Sequence, residues 1–490
     1  MLIRKTSFTP LLCLLTLGVT LMLCSTFSYA ETRSYAETLS FEQAWQAVQE
    51  RNDGIAAQRA NVQRAEHMRN AASAHHLPSV SLSGNYTRLD QNVELKPSQL
   101  ANHMNGADAL GQIAASVPGI GGLVSNLDNL MTTTLADRDI YTSSIRAIWP
   151  IFTGGRILAA EDIANAQRDE ATYLMQMEQQ AKFEDLAKVY FATVLAEQVL
   201  QTRAEVEQGL AKHFDHAKKL EAQGQIARVE RLQAEVAYDK AKTERKKAER
   251  DLEIAQAALR TLVKSTGDVS PSSALFTQTQ APAMSPFLQK TLAGYPGLKV
   301  LDAKRSQADG LVDLEKGKYY PQVYLYGNYN LYEGDSLTAE LAPDWAVGVG
   351  VSIPLIDNGG RSDKLKAAHS TALQVNYLRA QAEQNLSLLV EKTWREADQA
   401  LEEYQGLASS ISLADENLRL REKAFAQGLS TSLDVVDAEL YLASIKTQQL
   451  AASYQYVLSL SRLLAISGEM NRFPDFQAAA LTHSLPSQQG

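Results

Sequence analysis

Cysteine is almost absent from this chain of 490 residues, which contains only two. Both of them, Cys13 and Cys24, lie within the first 30 residues, so the remainder cannot hold a disulfide scaffold, a thiol nucleophile or a cysteine-based metal site. An excess of positive charge is also lacking, because 56 Asp and Glu outnumber 47 Lys and Arg and the net charge at pH 7 is −9. Nucleic-acid binding depends on clustered lysine and arginine, so the composition predicts no nucleic-acid partner. No nucleophile and base stand together in a catalytic pattern, and the sequence predicts neither an enzyme nor a bound cofactor.

The first 30 residues have the pattern of a secretory signal peptide. A basic start is followed by a mostly apolar stretch at residues 11–23 and by small residues that end at Ala30. We therefore predict export, with cleavage after Ala30 or after Ala36, where the small-residue pattern recurs. Attachment of a lipid to Cys24 is an alternative, although Leu23 stands where lipoprotein signals carry a small residue.

Long apolar runs are missing after this segment, since no later stretch reaches 18 apolar residues. The sequence therefore predicts no transmembrane helix. An exported chain without such a helix is either soluble in the periplasm or contributes strands to a β-barrel in the outer membrane.

The remainder of the chain contains two copies of one pattern. Three pairs of segments match in the same order: residues 78–86 with 321–329, residues 150–156 with 354–361, and residues 222–224 with 426–428. The spacing between the copies shortens after the first pair, which indicates an insertion at residues 88–139 of the first copy. The predicted organisation is a signal peptide (1–30), a first repeat (37–267), a linker (268–290), a second repeat (291–468) and a C-terminal tail (469–490), which we expect to be poorly ordered after Phe473.

Each copy predicts a helix, two strands, a long helix and a partner helix. The first helices run from Phe41 to about His76 and from Pro296 to about Tyr319, and the partner helices from about Val229 to Val263 and from about Leu433 to Ile466. The strands alternate one apolar face with one small or polar face, a pattern typical of membrane-barrel strands and of half-buried soluble strands alike.

The two long helices are the strongest structural signal. Residues 156–224 and 361–428 contain no proline and consist largely of good helix formers. A helix of this length extends about 100 Å, roughly three times the hydrocarbon core of a bilayer. Helices this long are typical of coiled coils and tubes. Four strands per chain cannot close a barrel, because bacterial single-chain barrels begin at eight, so several chains must contribute.

With these features the sequence resembles the TolC-like outer-membrane efflux proteins. The resemblance covers about residues 41–468, and its motifs are the duplicated helix–proline–strand segments, the Gly-Gly-Arg strand–helix junctions and the two Ala-Gln-Gly turns. The junction residues are Pro150, Gly155 and Arg156 in the first copy, and Pro354, Gly360 and Arg361 in the second.

This resemblance implies a mainly α-helical fold with membrane β-strands. Strand–long-helix–helix units would form, as a homotrimer, a twelve-stranded β-barrel in outer-membrane lipid, continued by a long periplasmic α-helical barrel. It also implies an export channel that works with a periplasmic adaptor protein and an inner-membrane transporter. A periplasmic adaptor and a structural coiled-coil protein are the alternatives. The sequence does not identify the transported substrate.

The resemblance assigns a periplasmic gate to Asp434 and Asp437, which follow the Gly428 turn. They are three residues apart and therefore share one helix face. In a trimer they would form two rings of carboxylates that attract cations and raise one another's pKa. For Asp434 there is an alternative, because Thr431-x-x-Asp434 is also the pattern of a helix-capping box.

In the family, an acid near the first turn is linked to a tyrosine and an arginine near the second. Glu230 retains the acid here, but Phe425 and Ser430 stand at the tyrosine and arginine positions, so this chain departs from the pattern. Arg228 and Arg231 are candidates for a replacement link to an acid of a neighbouring helix. The alternative is that both are solvated charges.

Gly224 and Gly428 predict helix stops with positive φ. Their turns are also candidate docking points for the adaptor. His213 and His216 are three residues apart, but no third metal ligand is evident, so we interpret them as a surface pair and predict no metal site.

Overall fold

The computed structural model describes residues 37–96, 130–332, 334, 343–356 and 358–484. The predicted signal peptide, both possible cleavage sites, Cys24 and most of the insertion lie outside the described residues.

Nine helices and eight strands make up the described part of the chain. The helices are α1 (Phe41–Arg51), α2 (Asp53–Ser73), α3 (Arg156–Ala222), α4 (Arg228–Val263), α5 (Met284–Gly294), α6 (Pro296–Gly317), α7 (Arg361–Ala426), α8 (Ser432–Ile466) and α9 (Phe473–Ser484). The strands are β1 (Glu37–Leu39), β2 (Ser79–Arg88), β3 (Val93–Leu95), β4 (Thr133–Ala136), β5 (Asp139–Phe152), β6 (Val269–Pro271), β7 (Gln322–Tyr332) and β8 (Trp345–Ser352).

The long helices α3 and α7 contain 67 and 66 residues. Each begins directly after a glycine with positive φ, which is 82° at Gly155 and 67° at Gly360. Such a residue turns the chain sharply out of a strand, and only glycine adopts it without steric cost. The two uninterrupted helices confirm the predicted architecture.

The four-stranded sheet has the order β2-β5-β7-β8, and all its neighbours are antiparallel. One face carries the apolar residues of the alternating pattern, including the matched positions Val80, Ala147, Gly327 and Val347. The opposite face is mostly small and polar. The outermost strands, β2 and β8, each have one edge without a partner among the described residues.

The helices form a layer that continues from the sheet. Far from the sheet, neighbouring helices follow the order α4, α3, α8 and α7. Nearer the sheet the order is α2, α3, α6 and α7, so α2 takes the place of α4 and α6 that of α8. No helix among the described residues is sufficiently long and apolar to cross a membrane.

The main core lies at the middle of the long helices. Phe41, Phe183, Tyr190 and Phe191 pack there with Phe473 of α9. Tyr190 is fully buried, and its hydroxyl donates to the carbonyl of Leu39 (2.7 Å) and accepts from the backbone N–H groups of Ser272 and Ser273. The side chain therefore joins β1 and the segment after β6 to α3.

Two sequence predictions were wrong in detail. The helix predicted from Phe41 to about His76 is broken at Asn52, whose side chain accepts from the N–H groups of Gly54 and Ile55 and caps α2. The tail was expected to be poorly ordered, but Phe473–Ser484 is helical and Phe473 is 1% exposed. Aromatic packing against the middle core orders this segment.

Candidate functional site at the helix turns

The two Ala-Gln-Gly turns join the long helices to their partners at the end of the molecule far from the sheet. Gly224 has φ 73° and Gly428 has φ 69°. The next residue closes each turn, because the N–H groups of Gln225 and Leu429 donate to carbonyls of the preceding helix at 2.9 Å. A Cβ at either glycine would meet nothing within 4 Å, so the positive φ rather than packing explains the glycine.

Asp434 lies in the first turn of α8, where it forms the capping box with Thr431. Its Oδ2 accepts from the backbone N–H (2.9 Å) and hydroxyl (2.7 Å) of Thr431 and from the Ser430 hydroxyl (3.0 Å). Arg421 of α7 lies 3.2 Å from Oδ1. The Thr431 and Ser430 hydrogen bonds lower the pKa of Asp434 to about 2, and the Arg421 charge adds to this effect.

The direction of this shift differs from the rise in pKa expected for Asp434. The expectation considered carboxylates of neighbouring copies, whereas within one chain hydrogen-bond donors and an arginine surround the acid and favour its ionised form. Asp434 is consequently a fixed negative charge, and the capping role is present in the single chain.

Asp437 lies one helical turn further along α8 and is exposed. It stands at the edge of an open groove of about 710 Å³ between α4 and α8. The apolar lining includes Val229, Leu232 and Val236 from α4, Leu433, Val436 and Leu440 from α8, and Val206 from α3. Arg203, Lys240 and Glu244 line the groove as well, so it has an apolar floor and a rim that carries charges of both signs.

The arginines of the first turn behave differently from each other. Arg231 pairs with Glu221 of α3 at 2.6 Å and also with Glu235 of α4, so its charge is held within its own hairpin. Arg228 is exposed and forms no ion pair or hydrogen bond with a side chain in the described part of the protein.

Glu230 links the first turn to the second. Its Oε2 accepts from the backbone N–H of Ser432 at 2.6 Å, at the first residue of α8. A carboxylate at this position satisfies a free backbone donor and interacts favourably with the helix dipole. The link therefore needs neither the tyrosine nor the arginine of the family pattern.

A second contact at Ser432 was missed by the sequence analysis. The Ser432 hydroxyl lies 2.7 Å from Nε2 of His213, and the His213 ring packs against Phe425 with a centroid distance of 4.7 Å. The prediction that His213 belongs to a surface pair was wrong, because the residue is 7% exposed. Burial, together with the nearby His216, lowers the pKa of His213 to about 4.

The helical spacing contains the signal that would have revealed His213. Val206, Leu210, His213, Ala217 and Leu220 are all buried and recur at alternating intervals of four and three residues. This is the spacing of a coiled-coil seam. A histidine on such a seam faces the neighbouring helix rather than solvent.

A partly buried acid lies further along α8. Glu439 packs against Gly209 of α3 so closely that a Cβ at Gly209 would lie 2.6 Å from Oε1. Burial raises the pKa of Glu439 to about 7, with further contributions from Glu422, Glu205 and Asp415, while Lys446 opposes the shift. The only glycine within α3 thus provides space for this carboxyl group.

The junction residues connect the strands to the helices. Gly154 precedes Gly155 with φ 67°, and a Cβ there would lie 2.5 Å from the carbonyl oxygen of Gly317 at the end of α6. Arg156 begins α3, and its side chain packs against Gly317, while Pro150 pairs with Tyr324 within the sheet.

In the second copy, Gly360 turns the chain into α7 and Arg361 fastens the junction. The guanidinium of Arg361 donates to the carbonyls of Pro354 (2.9 Å) and Leu355 (3.1 Å) and lies over the ring of Tyr319. The hydrogen-bonding groups of the Arg361 guanidinium are therefore used by backbone carbonyls of the junction. Among the described residues, no group of three or more His, Cys, Asp or Glu side chains could hold a metal ion.

A sheet with an apolar and a polar face, continued by a layer of helices about 100 Å long, is the architecture of outer-membrane export channels. The family model for outer membrane efflux proteins matches residues 44–263 and 287–469, and the chain belongs to this family.

Individual relatives agree with this assignment. The outer membrane efflux protein BepC of Brucella suis is 23% identical over 329 residues, which are 65% of this chain and 69% of the relative. The outer-membrane channel OprN has a TM-score of 0.69 at 15% identity and covers 88% of this chain and 90% of its own. The outer membrane protein VceC of Vibrio cholerae has a TM-score of 0.68 at 15% identity and covers 88% and 96%.

The protein is therefore a channel subunit of an efflux system rather than an enzyme, and it lies in the outer membrane and extends into the periplasm. This finding favours the channel over the alternatives of a periplasmic adaptor and a structural coiled-coil protein. Channels of such tripartite systems generally form trimers and work with periplasmic adaptors and inner-membrane transporters.

Proposed function

We propose that three copies of this chain assemble around a threefold axis. Support comes from the free edges of β2 and β8, which would pair between neighbouring copies, since an open sheet edge is not stable in lipid. The twelve strands would then close into one barrel, with the apolar face toward lipid and the polar face toward the lumen. The proposal includes the domain division of the chain. Each copy loses a signal peptide (1–30) and then consists of two repeats (37–267 and 291–468) joined by a linker (268–290).

The turn end of each copy forms the periplasmic gate. Asp434 supplies a charge that its hydrogen bonds hold in place, and Asp437 supplies a more exposed charge beside it. Three copies bring two rings of carboxylates to the narrow end of the helical tube, where they attract cations. The observation that carries this assignment is the ionised, tightly held Asp434 at the tip of the second hairpin.

The gate is held closed within each copy by the bond from the Ser432 N–H to Glu230. Opening separates the first hairpin from the second, so this bond stabilises the closed state. The Gly224 and Gly428 turns, together with the apolar groove between α4 and α8, are the docking region for the adaptor, which connects the channel to the inner-membrane transporter.

Fractionation tests the assembly. We expect the protein in outer-membrane fractions as a trimer that dissociates on heating in detergent, with an N-terminus after Ala30 or Ala36 by mass spectrometry. A monomer recovered from the soluble periplasm would contradict the proposal.

Conductance in planar bilayers tests the gate. We expect the double variant Asp434→Asn and Asp437→Asn to weaken block by multivalent cations by at least about tenfold, or about 1.4 kcal/mol. Asparagine keeps a side-chain oxygen that can accept from the Thr431 N–H in the capping box, so α8 should remain intact. The control is Asp239→Asn, which removes an exposed acid from α4. Unchanged block in the double variant, or an equal change in the control, would remove the two residues from the gate.

A further inference from the structure

The polar face of the four-stranded sheet contains an array of six side chains in two rows. One row is Ser81, Arg146 and Asn328, and the adjacent row is Ser83, Ser144 and Asn330. The hydroxyls of Ser83 and Ser144 lie 3.1 Å apart, and the Asn328 amide donates to Asn330 at 2.6 Å. We call this set the polar array.

Arg146 is the only charged residue on this face within the described strands β2, β5, β7 and β8. The other charged residues of the sheet, Arg88 and Asp139, lie on the opposite face at the far end of β2 and β5, where they pair at 3.7 Å. Arg146 is exposed and forms no ion pair or side-chain hydrogen bond with any described residue. Its charge is therefore not neutralised by the surrounding serine and asparagine side chains.

We propose that Arg146 and the polar array form an anion-binding ring in the lumen of the barrel. This inference rests on the proposed trimer, in which the threefold axis places three guanidinium groups at one height of the channel. The ligands are anions that bear carboxylate or phosphate groups, because the planar guanidinium matches their oxygens in a bidentate arrangement. The Ser81 hydroxyl, which lies beside Arg146 in the same row, can donate a further hydrogen bond to such a group.

Elementary barrel geometry brings the three charges near one another. Twelve strands spaced by about 4.8 Å and tilted by about 40° give a radius of about 12 Å. The arginine side chains extend inward from this radius, so the distance from each charge to the axis is below the Debye length of about 10 Å at 0.1 M salt. Their potentials consequently overlap on the axis, where rings of arginine or lysine favour anions.

The reversal potential of the trimer in a KCl gradient across a planar bilayer tests this ring. We expect Arg146→Gln to lower the permeability ratio of chloride to potassium at least about threefold, since the one charge on this face of the described strands is lost. Arg146→Lys should retain the ratio, because it keeps the charge. The control Arg88→Gln removes the same charge from the opposite face and should leave the ratio unchanged.

Chemical labelling of a cysteine variant tests the ring independently, in case the Arg146→Gln protein does not assemble into a trimer. Because both natural cysteines lie before residue 30, Arg146→Cys introduces a single thiol into the cleaved chain. A positively charged methanethiosulfonate reagent should raise its chloride preference, and a negatively charged reagent should lower it. An unchanged ratio in Arg146→Gln and after labelling, or an equal shift in Arg88→Gln, would overturn the ring. A wild-type protein that forms no ion-conducting trimer would instead overturn the proposed channel assembly.

Discussion

Replacing Glu230 by glutamine should loosen the closed gate, because it weakens the bond that joins the two hairpin tips. The carboxylate accepts from the Ser432 N–H at 2.6 Å, at the positive end of the α8 dipole. Hydrogen bonds to charged groups contribute about 1.5–3 kcal/mol, and the helix dipole contributes about 0.3–1 kcal/mol. Glutamine keeps an acceptor oxygen and loses the charge, so we expect a loss of about 1–2 kcal/mol.

A loss of that size corresponds to an increase of roughly 5- to 30-fold in the ratio of open to closed channels. The ratio can be measured from single-channel recordings of the trimer in planar bilayers. Glu253→Gln is a matched control on α4, since it disturbs only an exposed pair with Arg250, and such pairs contribute about 0–1 kcal/mol. The reasoning fails if Glu230→Gln leaves the open fraction at the wild-type value or if Glu253→Gln raises it equally.

Three other changes test the packing. Tyr190→Phe deletes three buried hydrogen bonds, so unfolding should be easier by about 3 kcal/mol and the thermal midpoint should fall, whereas the exposed Tyr377→Phe should have little effect. Gly154→Ala combines positive φ with a backbone clash and should lower the yield of folded trimer, whereas the helical Gly406→Ala has free space and should stabilise by up to about 1 kcal/mol. Because the pKa of Glu439 is raised in the folded state, the unfolded chain binds fewer protons than the folded chain between about pH 4.5 and 7. The thermal midpoint should therefore fall as the pH rises through this window. Glu439→Gln should remove this pH dependence, and a variant whose midpoint varies with pH as in the wild type would refute the assignment.

The repeated architecture could be predicted because it depends on local signals. The absence of proline and the helix-forming composition specify α3 and α7, and the alternating residues specify β2, β5 and β8. The glycines of the two turns were identifiable because their role is a backbone conformation, which a short motif encodes. Such local signals can be interpreted without knowing which helices pack together.

The contacts of the candidate site depend on long-range packing and could not be derived in the same way. Glu230 was selected through the family pattern, but its bond to the Ser432 backbone requires knowing how the two hairpins lie side by side. The sequence shows Gly209 as an isolated glycine in a long helix. The absence of a side chain there is explained only by the structure, in which the Glu439 carboxyl group packs against it. The pKa of Asp434 is lowered mainly by hydrogen bonds from Thr431 and Ser430, which are near in sequence, and only the smaller contribution of Arg421 comes from a different helix.

The free edges of β2 and β8 have a consequence for how the protein reaches its destination. A newly exported copy exposes unpaired backbone groups along two strands as well as the apolar face between them, and such edges associate readily with other chains. In the trimer proposed above, insertion into lipid is then coupled to pairing with two further copies, and an escort that covers the sheet would protect it during transit across the periplasm. The yield of mature channel should accordingly respond to the supply of periplasmic chaperones more steeply than the yield of a self-contained periplasmic protein.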